Sequence, residues 1–449
     1  MALATACTPP VSGPSRALRA LVAATDVAPD PAVVELELVA EVGEISLDGV
    51  VSEVWGYRDA ASDQELAVPG PLIEVAVGTR MIVHLENHLP ESTTLHFHGM
   101  RKPNEMDGTP AVQGVVFPGE SFTYDFVVRD PGLYWYHPHV RTSEQVARGL
   151  LGAVRVTGDG SIGETADRVI VLDDVRLTGG EIDHEVDDAD LRWGRLGNTL
   201  LVNGETAPRT VHMRGRERWR LVNTSNSRYF ELALSSGPLR VIGIDSGPTE
   251  PWSAETLTLT PGERYEIAVD LSPSEVATLR AVPIDRGLGI EPPIAEDLLY
   301  ILAAPALPTP IGLPDRERLE QPPLPDDAQV FAVDLTAGTA PNGAPLFFVN
   351  GEAWPFADAI PRDLGAIEAW EVTNQTEASL PFHLHGLFFT VRDVEGVTPP
   401  WMGLKDTVDI PGGGTAYLTV HYHTEGFWMF HSHILDQASQ GMMGEIVVR

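Results

Sequence analysis

The chain has 449 residues, 43% hydrophobic and 21% charged, with a formal net charge of −34. These are the proportions of a water-exposed globular protein with room for about three domains of ordinary size. The acidity excludes nucleic acid as a partner, because phosphate binding needs clustered Lys and Arg, and no run of about 18 apolar residues is present to cross a membrane. A single cysteine, Cys7, rules out a disulfide framework and a thiolate metal site in the core.

Residues 1–32 are rich in Ala, Pro and Ser and are expected to form a flexible N-terminal tail, with at most a short helix over Arg16–Ala24. Within it, Leu3-Ala4-Thr5-Ala6-Cys7-Thr8-Pro9-Pro10 resembles the cleavage end of a bacterial lipoprotein signal, without the charged and apolar parts of one. Export to the periplasm or beyond, with a lipid anchor on Cys7, is the corresponding expectation. From Val33 onward, short β-rich runs such as Val34–Val39, Met81–Leu85 and Phe122–Val128 alternate with Gly/Pro turns, and the expected class is all-β.

An internal repeat counts the domains. A strand ending in Asn recurs as Leu85-Glu86-Asn87, Leu221-Val222-Asn223 and Val372-Thr373-Asn374. A Pro-Gly turn opening a strand recurs as Pro118-Gly119-Glu120, Pro261-Gly262-Glu263 and Pro411-Gly412-Gly413. Both markers repeat at about 135–150 residues, which gives three consecutive β-sandwiches. The expected boundaries are 33–160, 161–303 and 328–449, with a Pro-rich linker over 304–327.

Four His-X-His pairs stand out: His96/His98, His137/His139, His383/His385 and His431/His433, which hold eight of the fourteen histidines. Extended backbone points residues i and i+2 to one face, so each pair presents two imidazoles side by side. The first and third domains carry them; the middle one has none and is expected to be a spacer. Eight imidazoles without Cys or paired carboxylates favour copper over zinc, and more than one metal ion.

At this point the chain resembles the three-domain multicopper oxidases, the laccase and copper-efflux-oxidase family of cupredoxin-like Greek-key sandwiches. The resemblance rests on the four pairs together with Trp55-Gly56-Tyr57, Gly70-Pro71, Asp107-Gly108-Thr109-Pro110, Gly149-Leu150-Leu151-Gly152, Leu201-Val202-Asn203-Gly204, Val349-Asn350-Gly351 and Lys405-Asp406-Thr407-Val408. It implies a trinuclear copper cluster between the first and third domains, reducing O2 with electrons from a small-molecule reductant. His96 and His383 would hold one type 2 copper; His98, His137, His139, His385, His431 and His433 would hold two type 3 coppers. Asp107 matches the family's acid that orients cluster water and moves protons. A monomer is expected.

The departure is at the type 1 (blue) copper, which takes two His, a Cys and a weak axial Met. The corresponding positions here are Leu380, Ser432, Gln437 and Met442, so no type 1 copper is expected. Ala438 stands where several bacterial members carry a carboxylate for proton delivery. Electrons would then reach the cluster directly or through aromatic residues such as Trp135 and Trp428. The alternative is a slow or silent copper-binding scaffold on the same fold. A fifth pair, His421/His423, is a candidate extra copper site, and Met100, Met106, Met402, Met429, Met442 and Met443 are candidate Cu(I) ligands.

Overall fold

A computed structural model describes residues 16–158, 166–288, 294–305 and 322–449, apart from 342, 357 and 402. Cys7, most of the Pro-rich linker and Met402 lie outside the described residues. The architecture is all-β, with three pairs of facing sheets in chain order. The first pair has Val50–Asp59, Val33–Leu47, Arg80–Asn87 and Ser121–Val127 against Ile73–Ala76, Gly152–Thr157, Gly132–His137 and His96–His98. The middle pair has seven and five strands, and the last has five and five.

Alternating burial fills each sandwich with its own core. Leu36, Val83, Phe97 and Tyr124 centre the first, Trp219, Leu221, Phe230 and Ile267 the second, and Trp370, Phe382, Leu418 and Phe430 the third. A smaller apolar cluster of Leu72, Leu133, Trp135, Val146, Leu151, Val171, Val222 and Leu435 draws on all three and joins them.

The two repeat markers bind each other. In the first sandwich the Asn87 amide donates to Glu91 O (2.9 Å) and Val116 O (2.8 Å), and Gly119 N donates to Asn87 O (2.7 Å). Asn223 donates to Arg228 O (2.7 Å) and Leu259 O (2.9 Å), and Gly262 N to Asn223 O (2.9 Å). Asn374 donates to Ala378 O and Ile410 O, both at 2.9 Å. Each Asn thus satisfies buried carbonyls of a loop and of the segment before the Pro-Gly turn, which is why strand, Asn and turn recur as a unit.

The helix expected over Arg16–Ala24 does not form, and this half of the tail is docked. Leu18 N donates to Thr210 O and Ala24 N to Leu72 O, each at 2.8 Å. The segment is an extended strap across the first and middle sandwiches. Its apolar residues at a helix-like spacing of three each enter a different core: Leu18 the middle one, Leu21 the joining cluster and Ala24 the first. Burial in three places outweighs one helical turn, whose nucleation is unfavourable.

Asn374→Ala should leave buried carbonyls without donors and destabilise the third sandwich by about 1–3 kcal/mol. A denaturant midpoint equal to wild type would contradict this account of the repeat.

Candidate metal centre

Strand register builds the site. His96–His98 lies antiparallel to Gly132–His137 with His96 opposite His137, and Leu380–Leu384 lies antiparallel to Gly426–Ser432 with His383 opposite His431. With a two-residue period, the histidines leave each sandwich on one face. The intervening Phe97 and Tyr136, or Leu384 and Phe430, fill the core behind them. The two faces meet, and all eight histidines are buried, His139 being the most exposed at 8%.

Within this cage the ligating atoms fall into groups no wider than 4.8 Å: His96, His98 and His383; His98, His137 and His433; and His139, His385 and His431. Each group mixes the first and third sandwiches. His98 and His383 stack at 3.8 Å between ring centroids. His385 Nε2 and His431 Nε2 are 3.0 Å apart.

Hydrogen bonds at the back of each ring select the nitrogen turned inward. Nδ1–H of His96 donates to Asp107 O (2.6 Å), that of His137 to Pro138 O (2.9 Å) and that of His383 to Asp406 O (2.9 Å). His431 Nδ1–H donates to Ser432 O (2.8 Å) and His385 Nδ1–H to Asp107 Oδ2 (2.9 Å). Nε2 then carries the inward lone pair. His98 is reversed, with Nε2 on Asp406 Oδ1 at 3.2 Å and Nδ1 free. The inward nitrogens of His96, His98, His137, His139, His383 and His433 are buried and have no hydrogen-bond partner. A buried polar atom left unpaired costs about 1–3 kcal/mol. Six in one cavity fit a metal-ion cluster that supplies the missing bonds.

The electrostatics favour uncharged donors. Burial lowers the pKa of His96, His98, His137, His385, His431 and His433, and takes His139 down to about 3. Two carboxylates close the cage. Burial pushes Asp107 up, but Lys102 Nζ at 3.0 Å, with His385 and His96, outweighs it and holds the group well below the usual range. The Arg264 guanidinium does the same for buried Asp406.

The four type 1 positions are engaged elsewhere. Ser432 Oγ donates to Gln437 Oε1 (3.2 Å) and accepts from Ile434 N (3.1 Å). Gln437 Nε2 donates to Arg192 O (3.2 Å). Leu380 and Met442, both fully buried, pack in the third core. Ala438 is buried in Leu435–Ser439, a helix whose Asp436 is pushed up to about 6 by burial.

Among the aromatics, Trp135 is buried with its ring 4.2 Å from that of His137, 5.3 Å from His98 and 5.5 Å from His433. Trp428 is buried against Gly386 and donates to Thr424 O. His421 and His423 lie 5.8 Å apart, and no third ligating group joins them among the described residues. Met100 packs in the first core, and Met106, partly buried, packs against it; Met429 is buried.

The middle sandwich is more than a spacer. A Cβ on Gly262, in its Pro-Gly turn, would stand 3.0 Å from His98 Cε1 and 3.1 Å from the His433 ring, so the turn roofs the cage. Glu263 and Arg264 of this sandwich were invisible as site residues, although the Pro-Gly turn beside them was marked by the repeat; Asp245, after the strand Leu239–Ile244, had no sequence signal.

The lowered histidines set a pH dependence for the metal-free protein. His139 binds a proton near pH 6.5 in the unfolded chain but only near pH 3 in the folded one, so the stability it contributes falls as pH drops from 6.5 towards 3. That loss is about 1.4 kcal/mol per pH unit in the window. Buried Asp409 and Asp436, raised to about 7 and 6, act in the opposite sense. His139→Gln should therefore flatten the fall of the melting temperature with acid, and an unchanged slope would refute the linkage.

Three multicopper oxidase family profiles match residues 41–161, 135–278 and 321–449. A multicopper oxidase of Staphylococcus haemolyticus is 29% identical over 398 residues, 84% of this chain and 82% of its own length. The cell division protein FtsP of Salmonella typhimurium is 30% identical over 430 residues, 89% and 86% of the two chains. Among solved structures, a Campylobacter jejuni multicopper oxidase described as a metallo-oxidase superposes with a TM-score of 0.87 at 25% identity, covering 97% of this chain and 95% of that one. The laccase-like CueO of Ochrobactrum sp. gives 0.82 at 29% identity, covering 96% and 100%. Profiles over all three sandwiches and relatives along most of the length agree: the chain belongs to the multicopper oxidase family.

Proposed function

We propose that the chain is a copper-dependent oxidoreductase that reacts with O2 at a trinuclear cluster and carries no type 1 copper. The observation behind this reading is the set of buried, unpaired imidazole nitrogens converging from two sandwiches. His96 and His383 would hold the type 2 ion. His98, His137 and His433 would hold one type 3 ion, and His139, His385 and His431 the other. Bound copper would supply one-electron chemistry to O2.

The protein's own groups do the rest. Neutral imidazoles offer lone pairs without first releasing protons. Asp107, held ionised by Lys102, accepts from His385 Nδ1–H, so its first role is to orient that ring rather than to donate a proton. The Ser432 hydroxyl, already bonded to Gln437, is no substitute for a thiolate. Electrons from a small-molecule reductant therefore arrive at the cage directly or through Trp135, the aromatic ring against three of the ligands.

The relatives named as cell division protein FtsP favour a second reading, a copper-binding scaffold on the same fold with slow or no turnover. Both readings put the protein outside the cytoplasm, and no helix among the described residues is long and apolar enough to cross a membrane.

Reconstitution with copper should give three ions per chain, a protein without blue colour and O2 uptake with a turnover reductant. Fewer than two ions overturns the cluster; full loading without O2 uptake turns the reading to the silent alternative. Asp107→Asn should weaken copper retention by about 10–100-fold, measured by competition with a chelator. Retention equal to wild type would remove Asp107 from the site.

A further inference from the structure

The middle sandwich carries no histidine pair, yet one of its side chains reaches into the wall of the cage. We propose that Arg264 is a positioning residue. It locks Asp406 so that His98 presents Nδ1 to the metal, and it makes assembly of the cage depend on docking of the middle sandwich. This rests on the copper reading above.

Arg264 opens the strand Arg264–Val269, directly after the Pro261-Gly262-Glu263 turn, and its side chain is 2% exposed. A guanidinium has five N–H donors in a fixed fork, and here every one is used. Nε donates to Leu133 O at 3.0 Å, Nη1 to Asp406 Oδ1 at 2.7 Å and Gly262 O at 3.1 Å, and Nη2 to Asp406 Oδ2 at 2.6 Å and Asp245 O at 3.0 Å. Leu133 belongs to Gly132–His137, the strand of the first sandwich that ends on a cage histidine. Asp406 belongs to the third. One side chain therefore ties all three sandwiches together beside the ligands.

The consequence for His98 follows from the acceptor. With both oxygens on a guanidinium, Asp406 stays ionised and can only accept. Thr407 Oγ1 donates to its Oδ1 at 2.9 Å, which leaves His98 Nε2, 3.2 Å from the same oxygen, as an N–H donor. The lone pair is then on Nδ1, the atom without a partner in the group with His137 and His433. Of the rings bonded through Nδ1–H, His137 and His431 are set by the carbonyl next in sequence, His96 and His383 by the main-chain carbonyls of Asp107 and Asp406, and His385 by the Asp107 carboxylate; His98 is bonded through Nε2, to the carboxylate that Arg264 holds from the middle sandwich.

The neighbouring sequence is shaped to this fork. Gly99, at φ +80°, lies where a Cβ would collide with Arg264 Nη2 and stand 2.7 Å from Asp406 Oδ2. The glycine after His98 therefore makes room for the clamp. Lysine cannot replace the arginine, because an ammonium offers three donors and no planar fork.

The wild-type, metal-free protein gives the first test, through 15N NMR of selectively labelled histidine. His98 should be the Nε2–H tautomer, and an Nδ1–H tautomer overturns the proposal. Because no metal is present, this answer stands even if the chain fails to bind copper, an outcome that would sink the copper reading instead. The second test compares Arg264→Lys with Arg280→Lys, which alters an exposed ion pair of the same sandwich. After copper loading, Arg264→Lys should lose metal to a chelator about 10–100-fold faster and lose the near-ultraviolet band of the coupled copper pair, with Arg280→Lys matching wild type. Asp406→Asn should behave as Arg264→Lys does, and the double variant should add nothing further. A loaded Arg264→Lys protein with wild-type band and wild-type retention overturns the proposal. If Arg264→Lys does not fold, the tautomer measurement decides alone.

Discussion

Everything in this molecule is arranged around a conflict between burial and hydrogen bonding. Eight imidazoles sit buried around one cavity, and at least six present a nitrogen to it with no protein partner. Such atoms are costly to bury, and a protein seeking stability alone would have bonded or removed them. The surrounding structure instead goes to some length to keep them unpaired and correctly turned. Backbone carbonyls fix four rings from behind or beside, Lys102 pins Asp107, and the third dimension of the cage is closed by a turn from a sandwich that contributes no ligand.

The same economy explains why the site spans domains. A strand pair offers histidines at a two-residue period and no more than two rows of them. Surrounding several metal ions needs donors from opposite directions, which one sheet face cannot provide. Duplication of a single strand-and-turn unit supplies the second face, and the Asn side-chain hydrogen bonds to the carbonyl before each Pro-Gly turn show that the duplicated unit kept this wiring in all three copies.

Much of this was legible in the sequence because it is local. A His-X-His pair within a β-rich run declares the face its rings share, and the repeat of Asn and Pro-Gly declares the number of sandwiches. Ser432, Leu380 and Gln437 stood out for another reason, as departures from the motif of the family that the chain resembles. Arg264 was not, because its partner Asp406 is 142 residues away and nothing in a lone arginine after a turn announces a fork. The strap was misread for a different cause. The spacing of Leu18, Leu21 and Ala24 is compatible with a helix, and only the tertiary structure reveals three separate cores waiting for three side chains.

That strap also has a mechanical meaning. It leaves Thr210 on the middle sandwich and reaches Leu72 on the first through backbone hydrogen bonds made side by side. Tension applied through the N-terminal side would load those bonds in shear before it reached either core. The first parts to yield would be the strap and then the seam between two sandwiches, so traction on this end of the chain pulls on the joint that holds the roof over the histidines.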